Sequence, residues 1–202
     1  MLFRSIAFDR RIVLVTAHRR ESFGKPLAGI CRALRELADQ IENIQIVYPV
    51  HLNPNVRDTV HAHLGGHPRI ALIPPLDYAS LIQLMRRSTI VLTDSGGIQE
   101  EAPSFGIPVL VLRPATERPE AVEAGCARIV GTDATRIVRE ARRLLEDEVA
   151  YQRMARVANP FGDGRAGERI AAVLHSEMRG ESVARSPQLA FVPPTSLSEA
   201  AS

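Results

Sequence analysis

The sequence predicts an α/β protein in which helices cover both faces of a doubly wound parallel sheet. Short apolar runs, rich in Val and Ile, alternate along the chain with segments whose apolar residues recur at helical spacing. The runs are apolar throughout, as expected of strands buried on both faces. Strands of this kind alternating with amphipathic helices are typical of parallel sheets. Ligands of such sheets bind beyond the C-terminal ends of the strands, so we expect the functional residues in the loops that follow them.

Six strands and six helices are expected within one domain. The strands are expected at residues 11–16, 44–50, 69–73, 89–93, 107–112 and 127–130. Helices are expected at residues 26–41 and 53–64, from residues 77 and 97, and at residues 132–145 and 165–178. The domain is expected to span residues 11–179, with a lead-in or linker remnant at 1–10. Residues 180–202, rich in Ser, Ala and Pro without periodicity, are expected to be a disordered tail.

Composition argues against several classes of function. The 202 residues are 45% hydrophobic, enough for one substantial core, and the net charge of +2 gives no basis for binding nucleic acid or an anionic membrane. Cys31 and Cys126 alone form neither a disulfide framework nor a metal cluster, and fit a reducing cytosol. No apolar run approaches the roughly 20 residues of a membrane-spanning helix. We therefore expect a cytoplasmic protein without a metal site.

The loop after the fourth expected strand has the features of an anion site. Two glycines, Gly96 and Gly97, stand at a strand-to-helix junction, where backbone amides can approach an anion closely. Ser95 adds a hydroxyl donor, and Glu101, about one helical turn on, can accept hydrogen bonds from sugar hydroxyls. A plain glycine-containing turn with surface glutamates is the alternative, because short glycine motifs occur often by chance.

Three other loops bring polar residues to the same predicted edge. His18 is followed directly by two arginines after the first strand, His51 follows the second strand, and Arg118 follows the fifth. Arginine suits phosphate contacts and histidine can donate or move a proton, although solvated charges and surface ion pairs are the alternative. Three further histidines lack a partner at metal spacing and are expected on the surface: His61, His63 and His67. Together the loops indicate a phosphate-containing ligand without identifying it.

Seven strings, in order along the chain, carry a family resemblance. They are VTAHRRESFG (15–24), YPVHLNP (48–54), PLDY (75–78), LTDSGGIQEEAPS (92–104), TERPEAV (116–122), VGTD (130–133) and NPFGDG (159–164). Between about residue 11 and residue 178 the chain closely resembles the C-terminal half of non-hydrolysing UDP-N-acetylglucosamine 2-epimerases. The resemblance implies one Rossmann-like half of a GT-B-type two-domain fold, with substrate in the cleft between the halves.

The resemblance also implies roles for individual residues. His18 matches the active-site histidine that contacts the diphosphate, Glu101 the ribose-binding acid and Arg118 the phosphate-binding arginine. The diphosphate cradle is matched by Ser95, Gly96 and Gly97. Two positions match those that hold a second, regulatory UDP-N-acetylglucosamine in some bacterial members: Arg19 and His51.

The family's reaction implies a division of labour between two domains. UDP leaves C1 by elimination as a proton leaves C2, and re-addition with protonation on the other face gives the ManNAc epimer without a cofactor. The proton-transferring carboxylates belong to the N-terminal domain, which has no counterpart here. The expected function is therefore a UDP- and UDP-N-acetylglucosamine-binding half-enzyme, inactive alone, serving cell-surface polysaccharide synthesis. An N-terminal-domain partner or a homodimer would accompany it.

Two other functions remain open from the sequence. One is a stand-alone UDP-sugar-binding or regulatory module, and the other is the nucleotide-binding domain of a glycosyltransferase. The strings TAHRRE (16–21) and TERPE (116–120) argue against the transferase. The chain departs from the family's usual pattern at Ala115, where Thr is common, and at Cys126, where Thr is also usual. Neither departure removes an expected ligand contact.

Overall fold

Six parallel strands form a single sheet in the order β3-β2-β1-β4-β5-β6. The computed structural model describes residues 6–179, so the expected tail at 180–202 and the first half of the expected lead-in, residues 1–5, lie outside the described residues. The strands are β1 (Arg11–Thr16), β2 (Ile44–Pro49), β3 (Ile70–Ile73), β4 (Ser88–Thr93), β5 (Val109–Val111) and β6 (Ala127–Ile129). Every pairing is parallel, which confirms the predicted doubly wound sheet.

Eight helices connect and flank the strands among the described residues. They are α1 (Lys25–Gln40), α2 (Pro54–Leu64), α3 (Tyr78–Arg86), α4 (Gly96–Glu101), α5 (Pro119–Ala124), α6 (Ala134–Glu146), α7 (Glu148–Ala155) and α8 (Ala166–Met178). Single 3-10 turns follow β1 and α4, at Arg20–Ser22 and Ala102–Phe105. Two predicted helix starts are confirmed by capping bonds, since Asn53 and Asp77 each accept from a backbone amide of the first turn.

The alternation along β1 shows why the strands are apolar on both faces. Val13 and Val15 belong to a core shared with α1, α2, α6 and α7, whereas Ile12 and Leu14 belong to the core shared with α3, α4 and α5. All four side chains are almost completely buried. A central strand of this kind cannot carry polar side chains on either face, so polar residues collect in the loops at its end.

Two helices were not predicted from the sequence. Helix α5 has only six residues, too few for an apolar periodicity, although Pro119 is a recognisable first-turn residue. Helix α7 begins immediately where α6 ends, and Asp147 serves as its N-cap by accepting from the amide of Ala150 at 3.0 Å. Strand β5 is shorter than expected and begins at Val109, because Pro108 has no amide hydrogen to donate to a sheet.

Both cysteine thiols are buried and chemically protected. Burial raises the pKa of Cys31 to about 12 and that of Cys126 to about 11, because the thiolate is poorly solvated in the core. Thiol reagents attack the thiolate, so neither residue should react in the folded chain near neutral pH. We expect a colorimetric thiol assay to detect no reactive thiol in the folded chain and both in guanidinium chloride. Rapid labelling of the folded chain would contradict this burial.

Candidate functional site

The loops after β1 and β4 lie side by side at the point where the sheet reverses direction. From β1 the chain proceeds to β2 on one side, while β4 leads to β5 on the other. The ends of the two strands are joined by a 2.6 Å hydrogen bond between the Thr16 and Thr93 hydroxyls and by the Asp94 amide, which donates to the Thr16 carbonyl at 3.0 Å. This junction is the usual ligand-binding position of a doubly wound sheet.

Asp94 connects the two loops and was missed in the sequence reading. Its side chain is fully buried, and its Oδ2 accepts hydrogen bonds from the amides of His18 at 2.8 Å and Arg19 at 2.7 Å. The other carboxylate oxygen, Oδ1, lies 3.8 Å from Nδ1 of His18. The available signal was an acidic residue directly after the strand beside β1, within a string already singled out for its glycines.

The structure brings His18 and His51 together. Their rings are stacked, with centroids 5.3 Å apart and planes inclined by 9°. The His18 side chain is 41% exposed, and His51 is also exposed, so both can meet a ligand. Nδ1 of His51 accepts the amide hydrogen of Asn53 at 3.1 Å, which leaves Nε2 for other contacts. Of the histidines expected on the surface, His67 is an exception, because its side chain is 6% exposed and bonded to Asp39 at 3.0 Å.

Two guanidinium groups converge on Gly96 from different loops. A Cβ atom placed on Gly96 would lie 3.6 Å from Cζ of Arg118 and 3.9 Å from Nη2 of Arg19. The neighbouring Gly97 is exposed, and a Cβ there would meet no atom within 4 Å. As the first residues of α4, both glycines carry amides without an intrahelical acceptor. Within the part of the chain that the structure describes, the Ser95 side chain makes no capping bond, so its hydroxyl can donate to a ligand.

A partly buried chain of hydrogen bonds fixes Arg118 relative to this turn. Gln99 is fully buried and donates to the Ser95 carbonyl at 3.0 Å. The Thr116 hydroxyl donates to Oε1 of the Gln99 side chain at 2.5 Å and accepts from the Arg118 backbone amide at 3.0 Å. The guanidinium of Arg118 forms an ion pair with Glu100 on α4. Gln99 and Thr116 were not identified from the sequence.

Replacing Gln99 should destabilise the fold. In Gln99→Leu the Ser95 carbonyl and the Thr116 hydroxyl lose their buried partner, so we expect the free energy of unfolding to fall by about 1–3 kcal/mol. Urea denaturation followed by circular dichroism would measure the change. Gln152→Leu is the matched control, because Gln152 makes only exposed helix-surface bonds and should cost much less. An equal decrease in the free energy of unfolding in the two variants would contradict a specific role of the Gln99 hydrogen bonds.

Arg113 holds the loop after β5 against the loop after β1. Its guanidinium makes a two-pronged pair with Glu117, at 2.8 and 2.9 Å, and contacts Glu21 at 2.8 Å. The hydrogen bonds from Arg113 lower the pKa of Glu117 to about 2. Surface ion pairs were the alternative to phosphate binding in this loop, and the structure shows two of them, Glu117 with Arg113 and Arg118 with Glu100. The Arg118 guanidinium also lies beside Gly96.

Glu101 ends α4 with its acceptors available. The residue is partly buried, and desolvation, with a smaller contribution from the negative charge of Glu100, raises its pKa. Within residues 6–179 its carboxylate makes no hydrogen bond or ion pair.

A groove of about 510 Å³ lies beside the end of α4 and is lined by Glu100, Ser104, Asn159, Asp163 and Arg169, among others. Asn159 closes this groove against α4 by donating to the Glu100 carbonyl at 2.8 Å.

No grouping of three or more His, Cys, Asp or Glu side chains with the spacing of a metal site occurs in residues 6–179. Over the same range, every helix is too short or too polar to cross a membrane. The groups of the site that can donate to a ligand are arginines, histidines, hydroxyls and backbone amides around a glycine turn, and Asp94 and Glu100 pair with some of them. Such a set suits a phosphate-bearing organic anion.

Comparison with known proteins gives one consistent family. The sequence model described as UDP-N-acetylglucosamine 2-epimerase matches residues 3–175. The Escherichia coli K12 protein named UDP-N-acetylglucosamine 2-epimerase is 57% identical over 166 residues, which are 82% of this chain and 44% of that protein. The chain thus spans less than half the length of this relative.

Two solved structures share the fold at high similarity. The S. aureus MnaA–UDP co-structure has a TM-score of 0.83 and 45% identity, covering 88% of this chain and 48% of that one. The Neisseria meningitidis UDP-GlcNAc 2-epimerase bound to UDP-GlcNAc has a TM-score of 0.82 and 43% identity, covering 86% and 47%. Coverage of about half of each relative is consistent with the expected C-terminal half. The site described above therefore lies in a chain that belongs to the UDP-N-acetylglucosamine 2-epimerase family.

Proposed function

We propose that this chain binds the diphosphate of UDP and UDP-N-acetylglucosamine at the junction of β1 and β4. The observation that carries the proposal is the convergence of the Arg118 and Arg19 guanidinium groups on Gly96, at the start of α4. Two cations beside free helix amides complement a group that carries two or more negative charges. The S. aureus co-structure with UDP and the N. meningitidis structure bound to UDP-GlcNAc support the same ligand class.

In the proposed reaction, UDP-N-acetylglucosamine is converted to its ManNAc epimer by elimination and re-addition of UDP. Negative charge develops on the departing diphosphate, and preorganised donors around that charge lower the barrier to departure. Arg118, His18 and the glycine turn are assigned this task. Ser95 would donate to a phosphate oxygen, and Glu101, with its free acceptors, would bind ribose hydroxyls.

Arg19 fits the diphosphate better than a separate regulatory ligand. Its guanidinium lies beside Gly96 together with that of Arg118, although the family resemblance matched Arg19 and His51 to a second UDP-N-acetylglucosamine. His51 contacts His18 through ring stacking, so a second ligand bound by His51 would also affect His18. We therefore assign Arg19 to the diphosphate and keep His51 as a contact for a regulatory ligand.

The proton transfer at C2 is assigned to residues outside this chain. That step needs a base and an acid on opposite faces of the sugar. The groups at the described edge are mainly phosphate binders, and the chain spans only 44% of the E. coli relative. An N-terminal-domain partner, or a second copy of the chain, is proposed to complete the cleft. The free cysteines fit a cytoplasmic location for this assembly.

Proton NMR of UDP-N-acetylglucosamine mixed with the purified chain tests the proposal directly. Broadening of the nucleotide and sugar signals without new anomeric signals is the expected result. Epimer signals would show that the chain carries its own proton-transfer groups, which would overturn the division of labour. Absence of broadening with both UDP and UDP-N-acetylglucosamine would overturn the binding site. Consumption of the nucleotide sugar only after addition of an acceptor would favour the glycosyltransferase alternative.

A further inference from the structure

We propose that Asp94 is a positioning residue that fixes the tautomer of His18, with the proton on Nδ1 and with Nε2 left for the ligand. The effect of this tautomer on ligand binding rests on the proposed function, because the nitrogen that faces the ligand matters only if His18 contacts a phosphate. The placement itself rests on the contacts of Asp94 alone.

The two oxygens of Asp94 differ in their surroundings. Oδ2 is occupied by the amides of His18 and Arg19, at 2.8 and 2.7 Å. Oδ1 is fully buried and has no hydrogen-bond partner among residues 6–179. A buried carboxylate oxygen without a donor costs free energy, so a nearby donor that can reach it will be stabilised there.

Nδ1 of His18 is the donor placed to serve Oδ1. The two atoms are 3.8 Å apart, and a rotation of the imidazole that shortens this distance by about 1 Å would give an ordinary hydrogen bond. Contacts of this kind are often long before a ligand binds. Two other candidate donors are already engaged, since the Tyr48 hydroxyl donates to the Ala17 carbonyl and Arg113 is held by Glu21 and Glu117.

The backbone bonds give the carboxylate a fixed orientation. Because two adjacent amides of the β1 loop bind Oδ2, the Asp94 side chain cannot turn away from His18 without losing both bonds. The same bonds tie the imidazole's own backbone to the carboxylate. The stacked partner His51 has the opposite arrangement, because its Nδ1 accepts the Asn53 amide and its neutral form must carry the proton on Nε2. The two rings should therefore show different tautomers.

Nitrogen NMR of the imidazole side chains measures this difference without any nucleotide. The full chain, labelled with ¹⁵N-histidine, would be studied at about pH 8.5, where an ordinary imidazole is neutral. We expect His18 to be protonated on Nδ1 and His51 on Nε2. A wild-type His18 protonated on Nε2 would overturn the proposal, and this arm of the test requires no variant.

Asp94→Asn should reverse the His18 tautomer. The two backbone amides hold the asparagine oxygen at the position of Oδ2, so the NH₂ group faces Nδ1 and donates to it. The proton of His18 then moves to Nε2, while His51 stays unchanged as the internal reference. An unchanged His18 tautomer in a folded Asp94→Asn chain would overturn the proposal. If the variant does not fold, the wild-type tautomer decides the question.

The affinity for UDP then distinguishes a role of Asp94 in positioning His18 from a general loss of loop structure. Phosphate oxygens only accept hydrogen bonds, so His18 is proposed to contact UDP as the imidazolium, with Nδ1–H donating to Asp94 and Nε2–H donating to a phosphate oxygen. In Asp94→Asn the amide NH₂ donates to Nδ1 and keeps the ring neutral. We therefore expect this variant to weaken UDP about tenfold, as for loss of the charge from one charge-assisted hydrogen bond, and to leave uridine nearly unchanged. In a His18→Ala background the same substitution should cost little. A tenfold loss in that background would assign the effect to the backbone and overturn the role through His18. If wild-type UDP binding is absent, the proposed function fails, whereas the tautomer result stands on its own.

Discussion

Gly97→Asp is expected to abolish UDP binding while leaving the fold intact. Gly97 is exposed, and a Cβ atom added there would meet no atom of residues 6–179 within 4 Å. An acidic residue in the first turn stabilises a helix, so the midpoint temperature of thermal unfolding should be at least as high in the variant as in the wild type. The new carboxylate would stand where the diphosphate is proposed to lie. Repulsion of a few kcal/mol between two negative charges at about 4 Å corresponds to a loss of roughly a hundredfold or more.

Gly97→Asn is the matched control for this prediction. Asparagine has nearly the size of aspartate without its charge, so the comparison separates repulsion from steric blocking. Isothermal titration calorimetry with UDP, together with thermal unfolding of each variant, gives the two quantities needed. We expect Gly97→Asn to retain much more affinity than Gly97→Asp. Unchanged UDP affinity in Gly97→Asp would place the nucleotide elsewhere on the molecule.

The sheet could be predicted because each of its strands has a recognisable local sequence pattern. A buried parallel strand such as β1 is a continuous apolar run, and the helices between strands repeat their apolar residues at helical spacing. Short elements escape this reasoning. Helix α5 is less than two turns long, and α7 follows α6 across the single capping residue Asp147, so neither produces an independent periodic pattern.

The exposed residues at the strand ends could also be identified from the sequence, whereas the residues that support them could not. A His-Arg-Arg run and a Gly-Gly pair each closely follow an apolar strand, and this position drew attention to His18 and Gly97. The roles of Asp94 and Gln99 depend on which loops become neighbours in space, because both bond to residues distant in sequence: His18 is 76 positions from Asp94, and Thr116 is 17 from Gln99. Strand order fixes those neighbours, and no local pattern encodes it.

The second large effect is expected from Arg118→Ala, which should weaken UDP far more than uridine. The proposed partner of Arg118 is a phosphate, which uridine lacks. Loss of a charge-assisted contact corresponds to about a tenfold to hundredfold loss of affinity. The variant also leaves Glu100 without its ion-pair partner beside the site, so repulsion between this carboxylate and the diphosphate adds to the loss. Calorimetric titration with each ligand would measure the ratio.

Three further variants separate the causes. Arg118→Lys keeps the charge but loses the forked geometry, so an intermediate affinity is expected. Adding Glu100→Gln to Arg118→Ala removes the unpaired carboxylate and should recover part of the UDP affinity. Arg142→Ala, which removes an exposed arginine paired with Glu146 on α6, controls for the change of net charge. Because the Arg118 amide is also bonded to Thr116 and through it to Gln99, damage to the loop would weaken both ligands alike. If the affinities for UDP and uridine fall equally, Arg118 maintains the conformation of the loop, and Arg19 is the arginine that binds the phosphate.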